Sequence, residues 1–323
     1  MRAVAAVAAA VAIQALMIVA FGWPSARLSA RDVPLVVAGP PEAAATVAGR
    51  LAAERPGAFE IKRLPDERAA RAALGDREAY GAIVVTPAGP RVMVASAASP
   101  AIAQQLGQLA ERLSGRGPAA PVEDVVPADG DDPRGAAFGS MVLPLVMSGI
   151  AAGALLTFLV SGAAWRLAGL AGFAVAGGAA IAGIAQSWLS VLPGDYLAVA
   201  GVAGLGSLAV AGAVTGLGTA LGRPGLGLAA LTMLLLGNPL SGATSAPELL
   251  PQPWGSVGQA LPPGATATLL RSVAFFDGAG AAAPLGVLLA WAGAGILLTA
   301  AGVFRARSRP AVADRRDSAA LVS

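Results

Sequence analysis

Hydrophobicity along this chain is strongly segmented. An apolar stretch at residues 3–22 carries no charge, and Gln14 is its only strongly polar side chain. Four more long apolar stretches follow residue 137, at 138–160, 167–189, 197–221 and 282–304. A shorter one, 225–236, ends at Asn238-Pro239. A hydrocarbon core about 30 Å thick needs roughly 20 apolar residues of helix. Five stretches meet that length. The sixth either continues past a proline kink or stops early. The expected fold class is an α-helical polytopic membrane protein with about six transmembrane helices and an inserted extracytoplasmic α/β domain.

The polar part between the first two stretches has a different pattern. Residues 33–37, 59–64, 82–85 and 91–95 read as short strands. Residues 42–54 read as a helix with Ala44, Val47, Ala48 and Leu51 on one face, and 101–113 as another with Ile102, Leu106, Leu109 and Leu113 aligned. Asp66 suits an N-cap for a helix over 67–74. Residues 24–114 are thus expected as a small α/β domain. Residues 115–137 are rich in Pro, Gly and acidic side chains and read as an extended linker. A five-span bundle covers 138–304, and 305–323 forms a basic tail.

Arginine sets the expected orientation. With the N-terminus cytoplasmic, Arg166, Arg223 and the tail arginines from Arg305 onward all fall inside, as the positive-inside bias requires. Trp23, Trp188 and Trp254 would mark the outer interface and Trp165 the inner one. The first stretch has an apolar core longer than that of a leader and poor small-residue cleavage sites after it, so it reads as an uncleaved anchor. Both termini are expected in the cytoplasm of a bacterial cell, with the chain multi-pass in the plasma membrane.

Composition removes several kinds of chemistry. The chain has no Cys and no His, and Lys62 is its only lysine. Thiol nucleophiles, histidine-based triads and a Walker-type phosphate loop with its lysine are excluded. The acidic run Asp129-Gly130-Asp131-Asp132 lacks the spacing of an EF-hand and reads as solvated linker. No enzyme, cofactor or metal site is expected. Net charge is only +3, and residues 24–137 hold 13 basic against 14 acidic side chains, so nucleic acid is not an expected partner. Gly212-x-x-x-Gly216 and Gly218-x-x-x-Gly222 suit close helix packing.

The segment 237–280 is the most informative. It holds six prolines yet stays mostly apolar. Irregular backbone at membrane depth is tolerated only inside protein or along a watery cavity. A broken hairpin at the outer face is expected, with a helix near 254–261 and a second over 265–276. Its candidate gate residues are Asn238, Pro239, Ser241, Trp254, Pro262, Pro263, Arg271 and Asp277. Arg271 should find Glu248, Asp277 or the headgroup layer. A plug that seals the bundle is the equal alternative to a gate.

One span, an outer α/β domain and five further spans with a broken hairpin together resemble the ABC-2-type transporter permeases. The actinobacterial and YhgE/Pip-like integral membrane proteins are the most similar of these. The local likeness lies in Tyr80-Gly81-Ala82-Ile83-Val84-Val85-Thr86-Pro87 and in Asn238-Pro239-Leu240-Ser241-Gly242 through Pro247-Glu248, Pro253-Trp254-Gly255, Leu261-Pro262-Pro263-Gly264 and Phe275-Phe276-Asp277-Gly278. The resemblance implies an exporter subunit moving an amphipathic or lipid-like substrate. It implies a separate ATP-binding subunit, met at Arg166, Arg223 and Arg305, and a homodimer or a heterodimer with a paralogue. A non-transporting scaffold or envelope-assembly protein whose outer domain binds a partner is the other class the sequence allows.

Overall fold

A computed structural model describes residues 1–113 and 120–307. The chain is mostly helical, with one small sheet. Its elements in order are α1 (Arg2–Ala26), β1 (Val33–Ala38), α2 (Pro41–Glu54), β2 (Phe59–Leu64), α3 (Glu67–Gly75), β3 (Gly81–Thr86), β4 (Gly89–Val94), α4 (Pro100–Leu113) and β5 (Val122–Asp124). Then come α5 (Ala136–Leu159), α6 (Ala163–Gly183), α7 (Tyr196–Leu221), α8 (Arg223–Leu231), α9 (Trp254–Gln259), α10 (Pro262–Phe275) and α11 (Ala282–Arg307).

The sheet has the order β2-β1-β3-β4-β5. β1 pairs parallel with β2 and β3, β3 antiparallel with β4, and β4 parallel with β5. Successive side chains of a strand point to opposite faces, and both faces here are apolar. Val33, Leu35, Val37, Ile83 and Val92 face Leu51 of α2 and Ile102 and Leu106 of α4. Val36, Ala38, Val84 and Met93 face Ala70 and Leu74 of α3. The Asp66 carboxylate caps α3, accepting from the Ala69 N–H at 2.8 Å. Within the segment read as an extended linker, Val122–Asp124 forms the edge strand β5. Asp132, read as a solvated acid, is 7% exposed and accepts from the Ala137 and Phe138 N–H groups at 3.1 and 2.8 Å. It anchors the first turn of α5, whose N–H groups would otherwise be orphaned.

Among the described residues, five helices are long and apolar enough to cross a membrane: Arg2–Ala26, Ala136–Leu159, Ala163–Trp188, Tyr196–Leu221 and Ala282–Gly302. The third includes a π-helical turn, Ile184–Trp188. The sixth apolar segment, Arg223–Gly237, reaches only about 22 Å at 1.5 Å per residue. It closes with a π-helical turn, Thr232–Gly237, and the chain turns at Asn238 instead of continuing as helix through Pro239.

α7 is the axis of the bundle, packed by α5, α6, α10 and α11. Its glycines make this possible. A Cβ on Gly295 of α11 would strike the backbone of Gly212, and one on Gly216 would lie 2.8 Å from the Gly295 carbonyl oxygen. The Gly212-x-x-x-Gly216 pair therefore serves contact within the chain. α1 stands apart. None of its most apolar stretch is buried, and Pro24 is its only buried residue.

The helix ends sort into two sets. Residues 27–31, 135, 189–195 and 238–281 lie at the end that carries the sheet. Met1 and the connections 160–162 and 222 lie at the other. Trp165 and Trp188, near opposite ends of the apolar helix Ala163–Trp188, are both highly exposed.

Candidate functional site

Between Gly237 and Ala282 the chain forms a turn, a short 3-10 helix (Pro247–Leu249), α9 and α10. Pro262 and Pro263 occupy the first turn of α10, where a missing N–H costs nothing, so they begin that helix instead of forming a turn before it. Both are buried, and the Pro263 ring packs over Gly237.

This segment and the sheet unit share their cores. Ala246 and Leu249 join the cluster on one sheet face, and Phe276 joins the cluster on the other. Hydrogen bonds tie the two together. The Ser99 hydroxyl donates to the Ser245 carbonyl at 2.9 Å, and the Arg31 guanidinium donates to the Leu249 carbonyl at 3.1 Å. Arg77 donates to the Thr268 carbonyl at 3.0 Å and to the Ser272 hydroxyl at 2.5 Å, and stands 5.1 Å from the Phe276 ring centre.

A cavity of about 470 Å³ remains where the two parts meet. The sheet side contributes Arg77, Tyr80 and Ala98, and the other side Glu248, Gln252, Ser256, Gln259, Thr268 and Arg271. The Tyr80 hydroxyl donates to Glu248 Oε2 at 2.8 Å. Burial, and then the negative charge of Glu248, hold the Tyr80 phenol above the usual tyrosine range, so it stays a donor. Burial likewise lowers the Arg77 guanidinium from its ordinary value, with Tyr80 and Glu248 opposing. Thr268 donates to Gln259 Oε1 at 2.7 Å, and Gln259 Nε2 donates to the Ser241 carbonyl at 2.9 Å.

Arg271 lies on α10 at the cavity wall and is 5% exposed. Its Nη2 donates to the Ala243 carbonyl, and its guanidinium stands 4.6 Å from the Phe138 ring centre. Among the described residues no carboxylate lies within ion-pair distance of it. The expected pairing with Glu248 or Asp277 is thus replaced by a carbonyl and an aromatic face. The reason is geometric: Glu248 is turned to Tyr80, and Asp277 is exposed on a residue with φ +50°.

No family model, curated protein or solved structure matches this chain. The functional reading therefore rests on its own geometry.

The other predicted residues separate. Asn238, Pro239 and Ser241 line a second cavity of about 170 Å³, shared with Phe21 and Ser25 of α1. Trp254 meets Trp23 edge-to-face at 6.4 Å, joining α9 to the end of α1. Arg166 is spent inside the chain, donating to the Val160 and Thr157 carbonyls at 2.8 and 2.9 Å and to the Thr219 hydroxyl at 3.0 Å. Arg223 is exposed at the start of α8. Arg305 falls near the end of α11, where side chains lie outside the described residues, as does the tail from 308 onward.

Sequence reasoning missed Arg77, Gln252, Ser256, Gln259 and Thr268 as cavity residues. Only the polarity of Gln252, Ser256 and Gln259 within an otherwise apolar proline-rich segment could have pointed to them. Arg77 carries no such signal, because its position depends on a left-handed backbone, φ +58°, in the turn after α3.

Proposed function

We propose that the chain is the membrane subunit of an exporter in the bacterial plasma membrane, worked by a separate ATP-binding subunit. The sheet unit lies outside the cell, and an amphipathic cargo is received where it meets the broken hairpin. One observation carries this reading: a cavity of about 470 Å³ with a mixed apolar and polar lining sits at the junction of the sheet unit and the proline-rich segment, at one end of an apolar bundle. Pockets of this size suit a small ligand or headgroup. The bare α1 helix and the alternation of basic turns at the far end support a multi-pass chain that works as a pair, with itself or with a paralogue. The test is purification from native membranes. An ATP-binding protein recovered in stoichiometric amount supports the reading, and its consistent absence refutes it.

A non-transporting scaffold is favoured by a different observation. α7 is packed through glycine on several sides, and Arg166, an expected contact for the ATP-binding subunit, makes three hydrogen bonds within its own chain. That reading predicts recovery with an envelope partner and no nucleotide-binding protein.

A further inference from the structure

The cavity between sheet and hairpin has an excess of donors. Arg271 is nineteen-twentieths buried, yet only its Nη2 has a hydrogen-bond acceptor among the described residues. Its Nε and Nη1 have none there, on a side chain that lines the cavity. These two donors are not sealed off, since among the described residues only the Ser207 hydroxyl is fully enclosed without a partner, so Nε and Nη1 stay reachable from open space. Arg77 comes from the sheet side and is held against α10, and among the described residues its hydrogen bonds are made through Nη1. Gln252 and Ser256 add exposed polar groups at the mouth. Against these stands one carboxylate, Glu248, whose Oε2 already accepts from Tyr80. Two guanidinium groups against one acid leave the cavity with a net positive charge.

Depth adds a second constraint. Gln252 and Ser256 flank Trp254, which meets Trp23 at the end of α1. Tryptophan at the end of an apolar helix sits at headgroup level. A guanidinium fork matches the paired oxygens of a phosphate.

We propose that this cavity binds the phosphate group of an amphiphile, with Arg271 of α10 and Arg77 from the sheet side as its donors. The inference rests on the export reading for its role, since it names the cargo class of that site. The binding itself needs no ATP-binding subunit, so the two can fail separately.

The experiment uses the full chain in a neutral maltoside detergent and titrates dodecyl phosphate, inorganic phosphate and dodecyl trimethylammonium by calorimetry. Saturable binding of dodecyl phosphate is expected. Arg271→Gln should weaken it by about tenfold to a hundredfold, the worth of charged hydrogen bonds. Glu248→Gln keeps an acceptor for Tyr80 and removes the opposing charge, so binding should strengthen by roughly two- to tenfold. Much weaker binding of inorganic phosphate assigns the site to a lipid-like ligand. Equal binding with the same two mutational effects assigns the phosphate to a free anion and overturns the amphiphile. Failure of dodecyl phosphate to bind, equal binding of the cationic probe, or a Glu248→Gln variant that binds no tighter overturns the proposal. That last outcome decides the matter even if Arg271→Gln does not fold.

Discussion

Truncating Arg271 should be far more damaging than truncating an arginine of the sheet surface. Arg271→Ala leaves the Ala243 carbonyl without its charged donor in a buried setting, which costs about 1.5–3 kcal/mol. It removes the guanidinium 4.6 Å from the Phe138 ring centre, worth about 2 kcal/mol when desolvated. Relief of the desolvated charge offsets part of this. A net loss of about 2–4 kcal/mol remains, concentrated where α10 meets the first turn of α5. Arg91→Ala is the control. Its side chain is 41% exposed, and its contacts with Glu67 and Glu123 are 3.2 and 3.5 Å. Exposed pairs of that kind contribute about 0–1 kcal/mol. Thermal unfolding in detergent, followed by tryptophan fluorescence, compares the two. Equal midpoints would refute the account of Arg271 as an element that pins α10. Arg271→Met refills the space but supplies neither the donor nor the cation, so it should recover only part of the loss.

Three further outcomes follow from buried polar groups and helix ends. Asp132→Ala should destabilise by about 1–3 kcal/mol, because two N–H groups at the start of α5 lose their acceptor; an unchanged melting midpoint would contradict this. Ser207→Ala in α7 should be neutral or stabilising by about 1 kcal/mol, because the Ser207 hydroxyl is buried without a hydrogen-bond partner; a clear loss of stability would show that the hydroxyl has an acceptor. In this cysteine-free chain, single cysteines at Ser256 and Ser161 occupy opposite ends of the bundle. An impermeant maleimide on whole cells should label Ser256→Cys and spare Ser161→Cys, and the reverse pattern would invert the proposed orientation.

The parts of this fold that were legible in the sequence are those governed by local rules. Uninterrupted apolar length fixed the five long helices to within a few residues at each end. Alternation found β1, β2, β3 and β4, and Asp66 announced α3 through its cap. β5 was invisible, because three residues in a Pro- and Gly-rich acidic run show no alternation. Asp132 looked solvated for the same reason, since its burial comes from α5 folding back beneath it. The proline-rich segment was recognisable as broken, but its role as part of both sheet cores was not. Ala246, Leu249 and Phe276 join the clusters on the two sheet faces with residues more than 100 positions earlier in the sequence. Arg271 was expected to meet Glu248, Asp277 or the headgroup layer. The Ala243 carbonyl and Phe138 ring that it meets leave no signature in a list of charges.

The central claim is that this chain moves an amphiphile that enters the cavity between sheet and hairpin. The most direct test reconstitutes the chain, with the ATP-binding protein that the proposal requires, into liposomes containing a fluorescent short-chain phospholipid analogue. ATP added on the side opposite the sheet unit should drive the analogue toward the sheet side, and Arg271→Gln should abolish that movement while the complex stays intact. Analogue distribution that is unchanged by ATP, in complexes that hydrolyse it, would contradict the account.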